Sequence, residues 1–183
     1  MGSKILASAV ILVALACTAV ATPLRLDYAV TDLGGSYRYD FTFVNDDNDG
    51  TWLPGQSFRW FVFGDSLPGP SPLTGFVGDT ASLAGSPYTG FGRTAGGHNG
   101  PDLQSVLTNW VPSGIGDSFS FWGTSTAFVP DGALLWSNVT SGTGTPGVLA
   151  DFEVANRIPE PTSMLLLGLG GLLMAGLVRR RRN

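Results

Sequence analysis

The chain has 183 residues, a formal net charge of −4, and 26 glycines against only 13% charged residues. That length holds one domain plus targeting segments. All 5 Trp, 4 Tyr and 11 Phe fall between positions 22 and 157, which excludes a disordered polymer. The same stretch has arginines as its only basic side chains, no lysine, and a large excess of acidic residues, which excludes a nucleic-acid-binding surface.

The N-terminal segment "MGSKILASAVILVALACTAVATP" pairs Lys4 with an apolar run over 5–16, too short to span a bilayer comfortably. Ala19-Val20-Ala21 follows as a small-x-small site, so 1–21 reads as a signal peptide cut by signal peptidase between Ala21 and Thr22. Cys17 also admits a lipoprotein reading, but Leu15 stands one position away from where a lipid-attachment site places it. Cleavage after Ala21 leaves an exported chain with no cysteine, hence no disulfide and no thiolate nucleophile.

From Thr22 onward the apolar period is two. "LRLDYAV" puts Leu24, Leu26, Tyr28 and Val30 on one face. After the turn "TDLGG", "YRYDFTFV" puts Tyr37, Tyr39, Phe41 and Phe43 inward, which predicts an antiparallel hairpin. "SFRWFVF" is apolar on both faces and predicts a central strand. Further strands are expected at 75–77, 106–111, 118–122, 126–129, 133–139 and 148–154, separated by Gly/Pro/Ser/Asp clusters. No helix is expected before the tail. The reading is an all-β antiparallel sandwich or jelly roll over 22–157, with a long glycine-rich excursion, "TASLAGSPYTGFGRTAGGHNGPD", between strands.

Four groups of residues in this middle region invite a chemical reading. "VNDDNDGTW" resembles a calcium loop aligned on Gly50, with Asn45, Asp47 and Asp49 in ligand positions. Gln56 stands where the bidentate Glu belongs and no flanking helices are expected, so an EF-hand is rejected. Two readings remain: a looser calcium site from Asp46, Asp47 and Asp49, and the favoured one, an Asx/Gly turn between strands. His98 is the single histidine and no sequence pattern selects its partners, so it reads as a loop residue. Glu153, the one glutamate before the tail, could join an aspartate as a glycosidase pair, but no motif picks the aspartate. Trp52, Trp110, Trp122 and Trp136 are candidates for a sugar-stacking platform, weighed against the more common role of core tryptophans.

The chain closes with "IPEPTSMLLLGLGGLLMAGLVRRRRN". Uncharged residues 162–178 are just long enough for a transmembrane helix. Arg179, Arg180, Arg181 and Arg182 behind them act as a membrane stop signal on the cytoplasmic side, leaving the domain outside. Pro159-Glu160-Pro161, the glycine-rich helix and the arginine cluster together resemble the PEP-CTERM sorting signal of exopolysaccharide-producing Gram-negative bacteria. A sortase signal is excluded because it needs Leu-Pro-x-Thr-Gly. The resemblance covers 158–183. It implies recognition by exosortase, an integral-membrane transpeptidase-like protease, and cleavage near 159–161.

The resulting expectation is a non-enzymatic exported protein without a cofactor, anchored transiently in the inner membrane and then passed to the cell surface or extracellular matrix. Its sandwich would act structurally or adhesively among exopolysaccharide, a role that the resemblance implies. The alternatives are a lectin-like module, calcium-assisted or not, and a polysaccharide-active enzyme.

Overall fold

The two alternating segments pair as read. In the computed structural model, which describes residues 22–66, 71–92, 102–104, 109–141 and 148–159, β1 (Leu24–Asp32) and β2 (Tyr37–Asn45) form an antiparallel hairpin. The register runs from Leu24 opposite Asn45 to Asp32 opposite Tyr37. Leu24, Leu26, Tyr28, Val30, Tyr39, Phe41 and Phe43 are all buried on the inner face. Tyr37 is only half-buried, because it lies at the turn end of the hairpin against the exposed ring of Phe128, 5.3 Å away. The hairpin turns through Gly34 and Gly35, whose positive φ angles of 77° and 141° suit glycine.

The remaining described strands are β3 (Ser57–Phe63), β4 (Val77–Gly78), β5 (Gly90–Gly92), β6 (Asp102–Gln104), β7 (Ser118–Ser125), β8 (Leu135–Ser141), β9 (Val148–Leu149), β10 (Glu153–Val154) and β11 (Asn156–Arg157). One sheet has the order β11-β1-β2-β7-β4 and the other β10-β8-β3-β6-β5, with β9 also beside β8. Among the described strands every pairing is antiparallel except that of β11 with β1. The architecture is all-β, two sheets face to face.

Aromatic rings fill the space between the sheets. Phe43 of β2 stacks on Phe61 of β3 at 3.8 Å between centroids and meets the edge of Trp136 of β8 at 5.3 Å. Phe41 lies 5.0 Å from both Phe63 and Phe121. Offset and edge contacts of this kind favour rings over aliphatic filling by about 0.5–1.5 kcal/mol per pair beyond area burial. β3 is central in its sheet, and a register irregularity between Phe58 and Trp60 lets both Phe58 and Phe61 point inward despite their odd spacing. Across the sandwich, glycines make room for rings: a Cβ at Gly123 would run into Phe76, and one at Gly78 into Phe91.

Several elements depart from expectation. The stretch 126–129 is no strand. Instead it wraps the Tyr39 hydroxyl, which donates to the Ala127 carbonyl at 2.8 Å and accepts from the Val129 amide at 2.8 Å. The segment 148–154 is two short strands, because Ala150 turns in to bond Asn138 and Ser137. At the expected strand 106–111, the described part shows an isolated bridge between Trp110 and Phe58. The glycine-rich excursion contains a 3-10 turn, Thr80–Leu83, the strand β5, and buried Tyr88, whose hydroxyl donates to the Phe58 carbonyl at 2.7 Å. Among the described residues no helix is long and apolar enough to cross a membrane. The signal segment 1–21, His98, Glu160, Pro161, the expected helix 162–178 and Arg179–Arg182 lie outside the described residues.

Candidate functional site

Both ends of the sandwich arrive at one seam. β1 opens the domain and β11 closes it, and the two lie side by side in parallel, Asp27 opposite Asn156 and Tyr28 opposite Arg157. Asp27 is buried on the ladder and ties two side chains together. It accepts Nε of Arg25 at 2.9 Å and Nδ2 of Asn156 at 2.9 Å. Arg25 reaches on to Asp46 Oδ2 at 2.6 Å, joining β1 to the turn after β2. Its guanidinium is held more firmly protonated, first by the hydrogen bond to Asp27.

A cleft of about 240 Å³ opens beside this seam, lined by Thr22, Arg25, Asp46, Asp49, Trp136 and Glu153 among others. The fold thus gathers the expected first residue of the exported chain, two of the three aspartates and the lone pre-tail glutamate. Thr22 donates its backbone N–H to Glu153 Oε1 at 3.1 Å. Burial pushes the Glu153 carboxyl up, the Thr22 bond opposes this, and Asp49, Asp151 and Asp46 add to the rise. The cleft is a place for positive charge or hydrogen-bond donors.

The three aspartates of "VNDDNDGTW" are engaged locally. Asp46 accepts from Arg25 and from Asn48 Nδ2 at 2.5 Å. Asp47 adopts φ 48° and accepts the Trp52 amide at 2.8 Å, while Asp49 accepts the Thr51 amide at 3.0 Å. These bonds build an Asx turn, the arrangement such residues favour. Among the described residues no group of three or more His, Cys, Asp or Glu side chains converges as metal ligands.

The tryptophans divide by position. Trp110 and Trp136 are core residues at 5% and 1% exposure. Trp122 is half-buried on the outer face and covered by the Arg38 guanidinium at 4.2 Å, and Trp52 is half-buried in the turn. They form no common platform. Sequence reasoning missed a different aromatic cleft, of about 350 Å³, lined by Val30, Asp32, Tyr37, Phe128 and Arg157. Arg157 lies 5.2 Å over the Phe128 ring. Tyr37 and Phe128 are too far apart in sequence for any local pattern to have paired them.

The tail leaves from this same end. The Ile158 amide donates to the Tyr28 carbonyl at 2.8 Å, the last rung of the parallel pair. Ile158 and Pro159 are exposed. Pro159 has no N–H with which to extend a ladder and holds the residue before it extended. A segment so presented is accessible to a protease. Of the sorting residues Pro159, Glu160 and Pro161, only Pro159 lies within the described part.

The family model of the PEP-CTERM protein-sorting motif matches residues 157–182. Comparison of the chain with curated proteins and with solved structures finds no match. The motif begins where β11 ends, so the sorting signal abuts the sandwich directly.

Proposed function

We propose that this chain, an exported exosortase substrate by its PEP-CTERM motif at 157–182, is a non-enzymatic structural or adhesive protein of the cell surface or extracellular matrix. The motif carries the reading. Exosortase is a membrane enzyme, so the substrate domain reaches it on the outside, and cleavage near Pro159 frees a sandwich already closed by β11. An aromatic-packed, acidic domain without cysteine suits a protein that must persist among secreted polysaccharide without disulfides. In cells lacking exosortase the protein is expected to stay in the membrane fraction at its uncut mass. Equal release with and without the enzyme contradicts the proposal.

The lectin-like alternative is favoured by one observation, the cleft of Tyr37, Phe128, Asp32 and Arg157, which combines rings with polar groups suited to a sugar. Calorimetry with purified exopolysaccharide, with and without calcium, decides it. Heat that Phe128→Ala abolishes supports a lectin, and no heat in either buffer removes that reading.

A further inference from the structure

Thr22, the residue that begins the exported chain in the reading above, is held on every side. It is 8% exposed, and its Oγ1 accepts from Nδ2 of fully buried Asn138 at 2.9 Å and from the Leu24 amide at 3.3 Å. The neighbouring Pro23 carbonyl accepts the amides of Asp46 and Asp47 at 3.2 and 3.0 Å. The start of the domain therefore docks on β8, on β10 through Glu153, and on the turn after β2.

Charge around it is one-sided. Asp46, Asp49 and Asp151 surround Glu153, and the cation lining the cleft, Arg25, is already paired with Asp27 and Asp46. Asp47 adjoins, but its carboxylate is turned to Trp52. The Thr22 amide gives this half-buried carboxylate a hydrogen bond but no compensating charge, whereas an ammonium there would supply a full positive charge among the surrounding acids. Buried Asn138 Oδ1, on the same amide that holds Thr22, has no hydrogen-bond partner.

We propose that this cleft receives the chain's own new N-terminus: cleavage between Ala21 and Thr22 by signal peptidase converts the Thr22 nitrogen into an ammonium that pairs with Glu153. In that hydrolysis the C–N bond breaks, water's hydroxyl joins the Ala21 carbonyl carbon and its proton the Thr22 nitrogen. The new Ala21 carboxyl then loses a proton and the amine gains one. Processing thereby replaces a neutral donor with a cationic one and makes an ion pair between the first residue of the domain and β10. It completes the fold only after export, and it rests on the export reading for the position of the cut.

The sign of the pH dependence follows. Beside Glu153 the ammonium has its pKa raised above the ordinary α-amine value of about 8, so its contribution is full below that value and is lost as pH rises through the folded value. Burial pushes the Glu153 carboxyl up and a cation beside it opposes that rise, so the ion pair is lost as pH falls and Glu153 takes up its proton. The pair is strongest between about pH 5 and 8.

The test uses secreted protein purified after native export. Its intact mass is expected to start at Thr22. Glu153→Gln is expected to lower the melting midpoint by about 4–8 °C near neutral pH, and by less than half as much in a form carrying one extra alanine before Thr22. That difference should vanish above about pH 10. An amine-acylating reagent should label the Thr22 terminus about tenfold more slowly than the alanine-extended one. A chain starting at Thr22 whose amine labels at the same rate as the extended form, or whose Glu153→Gln shift equals that of the extended form, overturns the proposal and leaves export standing. A start elsewhere overturns the cleavage reading and the proposal together. If Glu153→Gln does not accumulate, the two labelling rates decide alone.

Discussion

The space between the sheets and the seam at the chain ends are held by different physics. Between the sheets Phe41, Phe43 and Phe61 are wholly buried and touch several rings each, and wholly buried Phe63 packs on Phe41. At the seam Thr22, Asp27, Glu153 and Asn156 hold by directed hydrogen bonds. The interior is ring packing whose buried tyrosines are pushed above their ordinary pKa, so neither pH near neutrality nor the processing of the termini bears on it. The seam depends on both. The same molecule thus keeps its stability in one place and its sensitivity to handling in another, and the sensitive place adjoins the tail that directs the handling.

The largest effect should come from the interior. Phe43→Ala removes a ring shared by Phe61, Phe119 and Trp136 and is expected to cost about 3–5 kcal/mol in denaturant unfolding. A loss below about 1 kcal/mol would mean that the sheets do not meet as described. Next comes Gly123→Ala, whose added methyl has to displace the Phe76 ring; overpacking here is expected to cost about 1–3 kcal/mol, recovered in part by Phe76→Leu.

At the seam Asp27→Ala leaves Asn156 and Arg25 without a shared acceptor and should cost about 1–3 kcal/mol. Unlike the interior variants, it should also raise proteolysis near Ile158, since β11 is held by few rungs. Proteolysis unchanged from the parent would break the distinction drawn between the two regions. The smallest effect is expected from Arg38→Ala on the outer face, where an exposed ion pair with Asp40 and a cation–π contact with Trp122 contribute at most about 1 kcal/mol.

Sequence alone exposed the interior more fully than the seam. Strict alternation in "LRLDYAV" and "YRYDFTFV" identifies the buried face because one side of each strand meets the core. The short pieces resisted reading. Gly90-Phe91-Gly92 lacks the β-branched residues that mark a strand, and its glycines read as loop. Residues 126–129 have strand-like composition, yet the Tyr39 hydroxyl claims their backbone groups. β11 pairs in parallel with β1 across nearly the whole domain, and no local pattern encodes a partner that distant. The cleft shows the same limit. Asp46, Asp49 and Glu153 each stand out in the sequence, but their convergence on Thr22 comes only with the closure of β10 and β11. The sorting motif at 157–182 was legible because its recognition elements are contiguous in sequence.

Mass spectrometry of the intact protein recovered from outside the cells tests the account most directly. It predicts a single species that begins at Thr22, ends near Pro159–Pro161 and lacks Arg179–Arg182. A secreted species that retains the arginine cluster would contradict it.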